Sequence, residues 1–294
     1  MTVLEWIVAP LQFDFMLRAL VVAVVSGGIC AILSCWLTLI GWSLLGDAVS
    51  HAVLPGVVLS YIIGIPFAIG AFVFGVGAVG LIGVVRRTSR VKEDAAIGVV
   101  FTGLFALGIV LVSRTPSDTD LLHILFGNLL GVSDSDIVQV LLMSALTLAI
   151  VLVKRRDLTL FAFDPTHAHA IGLNPRRLGA LLLGLLALTV VIALQAVGIV
   201  LVVAMLIVPG ATAYLLTDRF GTMLSVAAAV AIGSSVLGTY LSFHADLSTG
   251  GTIVVAQAVV FTMAYLFAPR HGIVGRLRRR RRAPANATPA GGSR

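Results

Sequence analysis

The sequence predicts an all-α integral membrane protein: a polytopic bundle of eight or nine transmembrane helices, with one short helix on the cytoplasmic side. Three observations carry this. Apolar residues make up 59% of the 294-residue chain, charged residues only 11%, and the mean hydropathy is +1.09. Uncharged stretches long enough to span a bilayer, or nearly so, recur along the whole length. Basic residues gather instead in a few connecting segments and in a tail. Where no water satisfies the backbone, helices are the default for apolar runs of this length.

Taken in order, the first stretch covers residues 19–40. Glu5 and Asp14 interrupt what precedes it and no basic n-region is present, so residues 1–14 read as a short N-terminal segment rather than a cleaved signal. Cys30 and Cys35 lie five apart inside this span, a spacing that suits buried packing thiols better than a disulfide or a soft-metal site. The apolar run 52–65 has only 14 residues, about 21 Å of helix at roughly 1.5 Å per residue. A hydrocarbon core is roughly 30 Å thick, so this segment crosses only if its helix begins near Gly46. The remaining candidates are residues 66–85, 95–113, 137–153, 178–194, 196–216, 220–243 and 251–268. Together they make nine; one re-entrant or broken segment leaves eight.

Charge sets the topology. Residues 86–92 carry Arg86, Arg87, Arg90 and Lys92, and Lys154, Arg155 and Arg156 with Arg176 and Arg177 bracket the segment between two later spans. The positive-inside rule puts both segments in the cytoplasm, which leaves 114–135 and 244–250 outside. If every candidate crosses, the N-terminus is outside; if one is re-entrant, it is inside. Glu93 and Asp94 open the 95–113 span, where acids favour a helix start and a capping role is expected. After residue 269 stand eight arginines and no acid, so the net charge of +7 belongs to the tail. Residues 270–294 read as a basic, disordered cytoplasmic tail and 15–269 as the transmembrane domain. An arginine run of this kind serves as a topology anchor touching anionic membrane lipid; no nucleic-acid role is expected.

Residues 159–177 are the most punctuated cytoplasmic segment. Asp164 is a good N-cap, Pro165 suits a first helical turn, Gly172 a C-cap, and Pro175 stops continuation. A short helix of about two turns follows, either a plain connector or a docking element. His167 and His169 are two apart and point to different sides, a poor ligand geometry. Glycines inside the spans, Gly27 and Gly28 among them, read as packing residues. Pro55 and Pro209 break helical hydrogen bonding and mark either kinks or a substrate path.

The sharpest chemical signal is Gly46-Asp47-Ala48-Val49-Ser50-His51. Asp47 and His51 are four apart, hence on one helical face and at hydrocarbon depth. An ionised Asp near the midplane costs roughly 2.5–3.5 kcal/mol on insertion scales, so it faces a partner or a polar path. A carboxylate oxygen with an imidazole nitrogen suits Mn²⁺, Fe²⁺ or Zn²⁺ and not Cu⁺. Ser43, Ser50 and Leu54 fall near the same face. Two ligands are too few for a closed shell, and a structural Asp–His hydrogen bond is the competing reading. Gln195 at a span end, His244 and Asp246 in an outer loop, and His123 in a semi-apolar stretch are lesser candidates along an accessory path. No Walker A, dinucleotide or hydrolase motif is present, so no covalent chemistry is expected of this chain.

Residues 46–56, GDAVSHAVLPG, resemble the GDALSHAVLPG signature of ABC-type metal-ion importer permeases, the family-3 manganese/zinc/iron group. Further matches follow in order: Lys92 to Gly98 (KEDAAIG), Asp120 to Asn128 (DLLHILFGN), Phe163-Asp164-Pro165 with Ala170 and Gly172, and Leu194 to Pro209. The likeness runs from about residue 15 to 268, and DLLHILFGN looks more like the manganese/iron branch. It implies a type II ABC importer-like permease in a bacterial cytoplasmic membrane, working as a homo- or heterodimer. A cytoplasmic ABC ATPase dimer would drive it and an extracytoplasmic metal-binding protein would supply it. The metal-contacting Asp and His of the family match Asp47 and His51. Its ATPase-coupling helix matches Phe163, Asp164, Pro165, Ala168, Ala170, Gly172 and Leu173. The ion would be transported substrate, with no cofactor bound permanently. The chain departs from many relatives in lacking basic residues just before Gly46.

Two other functions compete with an ATP-driven importer. A secondary proton- or sodium-coupled cation carrier would need several intramembrane acids, and Asp47 is the one strong candidate. A membrane scaffold or sensor would need no mid-membrane pair at all.

Overall fold

The computed structural model describes residues 8–115, 129–268 and 272–274. Its helices are α1 (Asp14–Ile40), α2 (Ser43–Ala52), α3 (Leu54–Ile63), α4 (Phe67–Thr88), α5 (Glu93–Arg114), α6 (Asp134–Phe163), α7 (Pro165–Ala170), α8 (Pro175–Val197), α9 (Ile199–Leu216), α10 (Phe220–Ala245) and α11 (Thr249–Phe267). Counting α2 and α3 as one interrupted span, nine among the described residues are long and apolar enough to cross a membrane. No strand occurs among the described residues.

Burial sorts the bundle into two layers. The apolar windows of α1, α2–α3 and α8 are each 67% buried and that of α9 is 56%, against 17–28% for α4, α5, α6, α10 and α11. Four central spans are therefore ringed by five outer ones. α1 packs on α9, α10 and α6; α2 and α3 pack on α4 and α5; α8 ties α4, α6 and α1 together. Lipid tails are as apolar as the side chains, so close van der Waals packing and not water exclusion holds such helices together. Small residues make that approach possible: a Cβ on Gly56 or Gly70 would overlap the other residue's backbone between α3 and α4, and one on Gly238 would lie 2.6 Å from Ile253 Cα in α11.

The basic segments share one end of the bundle. Trp42 meets Phe161 at 6.2 Å between ring centroids and Phe163 meets Phe220 at 6.4 Å, gathering the α1–α2 turn, the end of α6 and the start of α10. Arg86, Arg87 and Arg176 line one groove at that same end. At the other end Arg18 pairs with Asp134 at 3.0 Å. This is the arrangement that the positive-inside reading expects.

Several expectations need correction. Lys154, Arg155 and Arg156 lie in no loop: α6 runs on for 30 residues to Phe163, because Leu158 and Phe161 continue its buried face and Lys154 pairs with Asp157 at 3.2 Å. Phe163 consequently ends the long helix and does not belong to the short one. That short helix, α7, has six residues, less than the two turns expected. Asp164 caps it, its side chain accepting from the Thr166 and His167 amides, both at 2.9 Å. The Gly172 N–H donates to the His169 carbonyl at 3.1 Å and the Leu173 N–H to the Ala168 carbonyl at 3.0 Å. Those bonds form a Schellman closure, which requires the left-handed φ of +89° that Gly172 supplies. Gly172 thus stands one position beyond the C-cap, Ile171, and Pro175 opens α8 instead of merely stopping α7. Glu93 and Asp94 make no side-chain cap; Glu93 bonds Arg86 at 2.9 Å across the loop.

The remaining tertiary links involve residues singled out by sequence. Cys30 and Cys35 are free and buried. Pro209 lies inside α9, and the Gly210 amide there donates to Ser34 Oγ of α1 at 3.1 Å. Gly198 alone separates α8 from α9, with φ +81° and ψ 165°, a conformation essentially confined to glycine. The 120–128 stretch with His123, residues 1–7 and most of the 270–294 tail lie outside the described residues.

Candidate cation site

α2 starts directly after Trp42 and leans on α9 through Gly46, where a Cβ would come within 3.3 Å of Leu206. From that helix Asp47 and His51 project together, with His51 Nε2 3.3 Å from Asp47 Oδ1. The side chains are 27% (His51) and 32% (Asp47) exposed, so the pair is not sealed inside the core of this chain. The imidazole meets Phe105 edge-on at 5.0 Å and Phe101 at 5.6 Å, both from α5. His51 Nδ1 is buried and has no hydrogen-bond partner among the described residues.

Those phenylalanines give the depth. They stand 8 and 12 residues after Glu93, the first residue of α5, which is about 12 to 18 Å of rise. Half of a core roughly 30 Å thick is about 15 Å. The pair therefore sits midway along the bundle. The His51 carbonyl nearby accepts from the Val53 N–H at the end of α2. Pro55 stands four residues after His51 and has no N–H, so the His51 carbonyl loses its ordinary helical donor. This is also why α2 stops at Ala52 and α3 begins at Leu54.

The other candidates fall elsewhere. Ser50 is fully buried and donates its hydroxyl to the Gly46 carbonyl at 2.8 Å, which occupies it inside the helix. Ser43 opens α2, and Leu54 is buried over Gly108, where a Cβ would lie 2.8 Å from its side chain. Gln195 is half-buried in the last turn of α8. Gly75 places the level of Val49 and Val53 beside Ala187. Gln195 lies eight residues beyond Ala187, about 12 Å further toward the outer end. His244 sits against Phe243 at 5.2 Å in the last turn of α10, and Asp246 follows in a left-handed turn with φ 51°. Among the described residues no three His, Cys, Asp or Glu side chains converge. Asp47 and His51 are brought together; Gln195, His244 and Asp246 are not brought to them.

Sequence reasoning passed over Phe101 and Phe105. Their signal was present: two aromatics four apart share a helical face, in the middle of a span that Glu93 and Asp94 begin. An edge-on aromatic contact holds the ring plane of His51. A carboxylate and an imidazole so held, part-exposed and at mid-depth, can take up and release a divalent ion, but cannot by themselves close its coordination shell.

The fold is that of a multi-pass helical membrane protein with one polar pair about midway along its bundle. The chain matches the ABC 3 transport family over residues 12–268. It is 55% identical over 280 residues to the manganese transport system membrane protein MntB of Synechocystis sp. (strain ATCC 27184 / PCC 6803 / Kazusa), covering 95% of this chain and 92% of that protein. It is 50% identical to a probable iron transport system membrane protein of Haemophilus influenzae, covering 90% and 97%. Among solved structures it resembles PsaBC from Streptococcus pneumoniae in complex with Fab, with a TM-score of 0.84, 39% identity, and coverage of 92% of this chain and 98% of that one. The chain belongs to the ABC 3 transport family. It is a membrane permease subunit of an ABC transport system, not an enzyme; ATP hydrolysis belongs to a separate partner.

Proposed function

We propose that this permease imports divalent transition-metal ions, Mn²⁺ foremost, with Fe²⁺ and Zn²⁺ of related coordination chemistry, and that Asp47 and His51 hold the ion in transit. The observation that carries this reading is the mid-depth pair itself, 3.3 Å apart and part-exposed. The names of similar proteins, which include manganese and iron transport systems, support the choice of cargo. Two side-chain ligands from one chain leave positions for a second permease subunit or for water. The working unit is accordingly a dimer in a bacterial cytoplasmic membrane, supplied by an extracytoplasmic metal-binding protein. α7, with Asp164, Pro165, Ala168, Ala170, Gly172 and Leu173, is the contact through which the ATPase dimer moves the bundle. Its capped, rigid geometry at the basic end suits force transfer.

The test is uptake of radiolabelled Mn²⁺ in a deletion strain carrying wild type, Asp47→Ala or His51→Ala. Both substitutions are expected to abolish uptake while the permease still copurifies with its ATPase. Normal uptake by either variant overturns the assignment.

A further inference from the structure

A groove of about 710 Å³ opens between the second half of α4 and the first half of α8, closed at the back by Trp42 and Phe161. Its walls are apolar, and Arg86, Arg87 and Arg176 stand along it at the basic end of the bundle. From Arg87 to Val76 the α4 wall runs 11 residues, roughly 16 Å. That is about half of a roughly 30 Å core, the depth of one leaflet. Gly80, Gly83 and Gly184 line the groove, and a Cβ on any of them would meet nothing within 4 Å. Among the described residues no other element packs against these positions, and their lack of side chains keeps the groove wide.

The charge at the mouth identifies the occupant. Glu93 engages Arg86 at 2.9 Å, whereas Arg87 and Arg176 have no ion-pair partner among the described residues. The mouth keeps a positive excess that repels a divalent cation, so it is ill suited as an exit for the transported ion. It complements a phosphate instead. Basic pockets between membrane helices on the cytoplasmic side are known to take anionic headgroups. We propose that this groove holds one anionic phospholipid of the cytoplasmic leaflet, its phosphate between Arg87 and Arg176 and one acyl chain along the glycine-lined wall.

The experiment is native mass spectrometry of the intact permease–ATPase complex, purified in detergent and titrated with phosphatidylglycerol or phosphatidylcholine. Wild type is expected to retain phosphatidylglycerol preferentially. Arg87→Gln/Arg176→Gln is expected to lower that retention roughly thirtyfold. Gly80→Leu, which fills the groove and leaves the charge alone, is expected to lower it as well. Arg90→Gln removes one charge from the same loop outside the groove and is expected to bind as wild type does. Three results overturn the proposal: equal retention of the two lipids, undiminished retention by both groove variants, or disulfide cross-linking of two permease copies through Gly80→Cys, which would show protein seated there.

Discussion

At the scale of single residues, the site depends on what surrounds the imidazole. Asp47 gives His51 its partner on Nε2, the two phenylalanines of α5 set its plane, and Nδ1 is left unpartnered among the described residues. An edge-on aromatic contact contributes about 0.5–1.5 kcal/mol beyond its buried area, a factor of roughly two to ten in affinity. Phe105→Leu, which keeps the volume and removes the edge-on ring, is therefore expected to raise the KM for Mn²⁺ uptake by about that factor. Its maximal rate should change little. An unaltered KM would show that Phe105 is mere packing. The Asp–His spacing was legible in the sequence because four residues make one helical turn. Phe101 and Phe105 were not, since nothing in a linear sequence says that α5 packs on α2. Ser50 illustrates the opposite error: it shares the stripe on a helical wheel, yet its hydroxyl folds back to Gly46.

At the scale of elements, the proposed function rests on the broken α2–α3 span and the short α7. Pro55 denies the His51 carbonyl its ordinary helical donor and ends α2, and substitution to Ala would restore both the N–H and a continuous helix. Pro55→Ala is expected to raise the thermal unfolding temperature of the permease and to lower Mn²⁺ turnover. A variant that is more stable and transports at the wild-type rate would contradict a role for the break. Removing an N-cap costs about 1 kcal/mol of local helix stability. Asp164→Ala should therefore fray α7 and reduce transport-coupled ATP hydrolysis while leaving metal binding to the permease intact. Loss of metal binding in that variant would count against α7 as a coupling element. Caps and breakers were readable in advance: Asp164, Gly172 and Pro55 each act within a position of where their chemistry places them. The course of α6 was not, because Lys154, Arg155 and Arg156 look like a loop until Leu158 and Phe161 are seen to keep packing beneath them.

At the scale of the whole molecule, hydropathy pointed to eight or nine spans, nine being long and apolar enough among the described residues, and charge pointed to their common basic end. Which helices are central was hidden, since α2–α3 and α8 are no more apolar than the outer α5. It depends on three-dimensional pairing, such as the close approach of Gly56 to Gly70 between α3 and α4. The consequence is that the polar pair rides on a central span, beside α5, and stays part-exposed about midway along the bundle. The most direct measurement is anomalous scattering at the manganese edge from the permease–ATPase complex soaked with Mn²⁺ alone. A single strong peak within coordination distance of both Asp47 and His51, absent in His51→Ala, is the predicted result. A bound ion elsewhere, with that pair still closed on itself, would contradict the account.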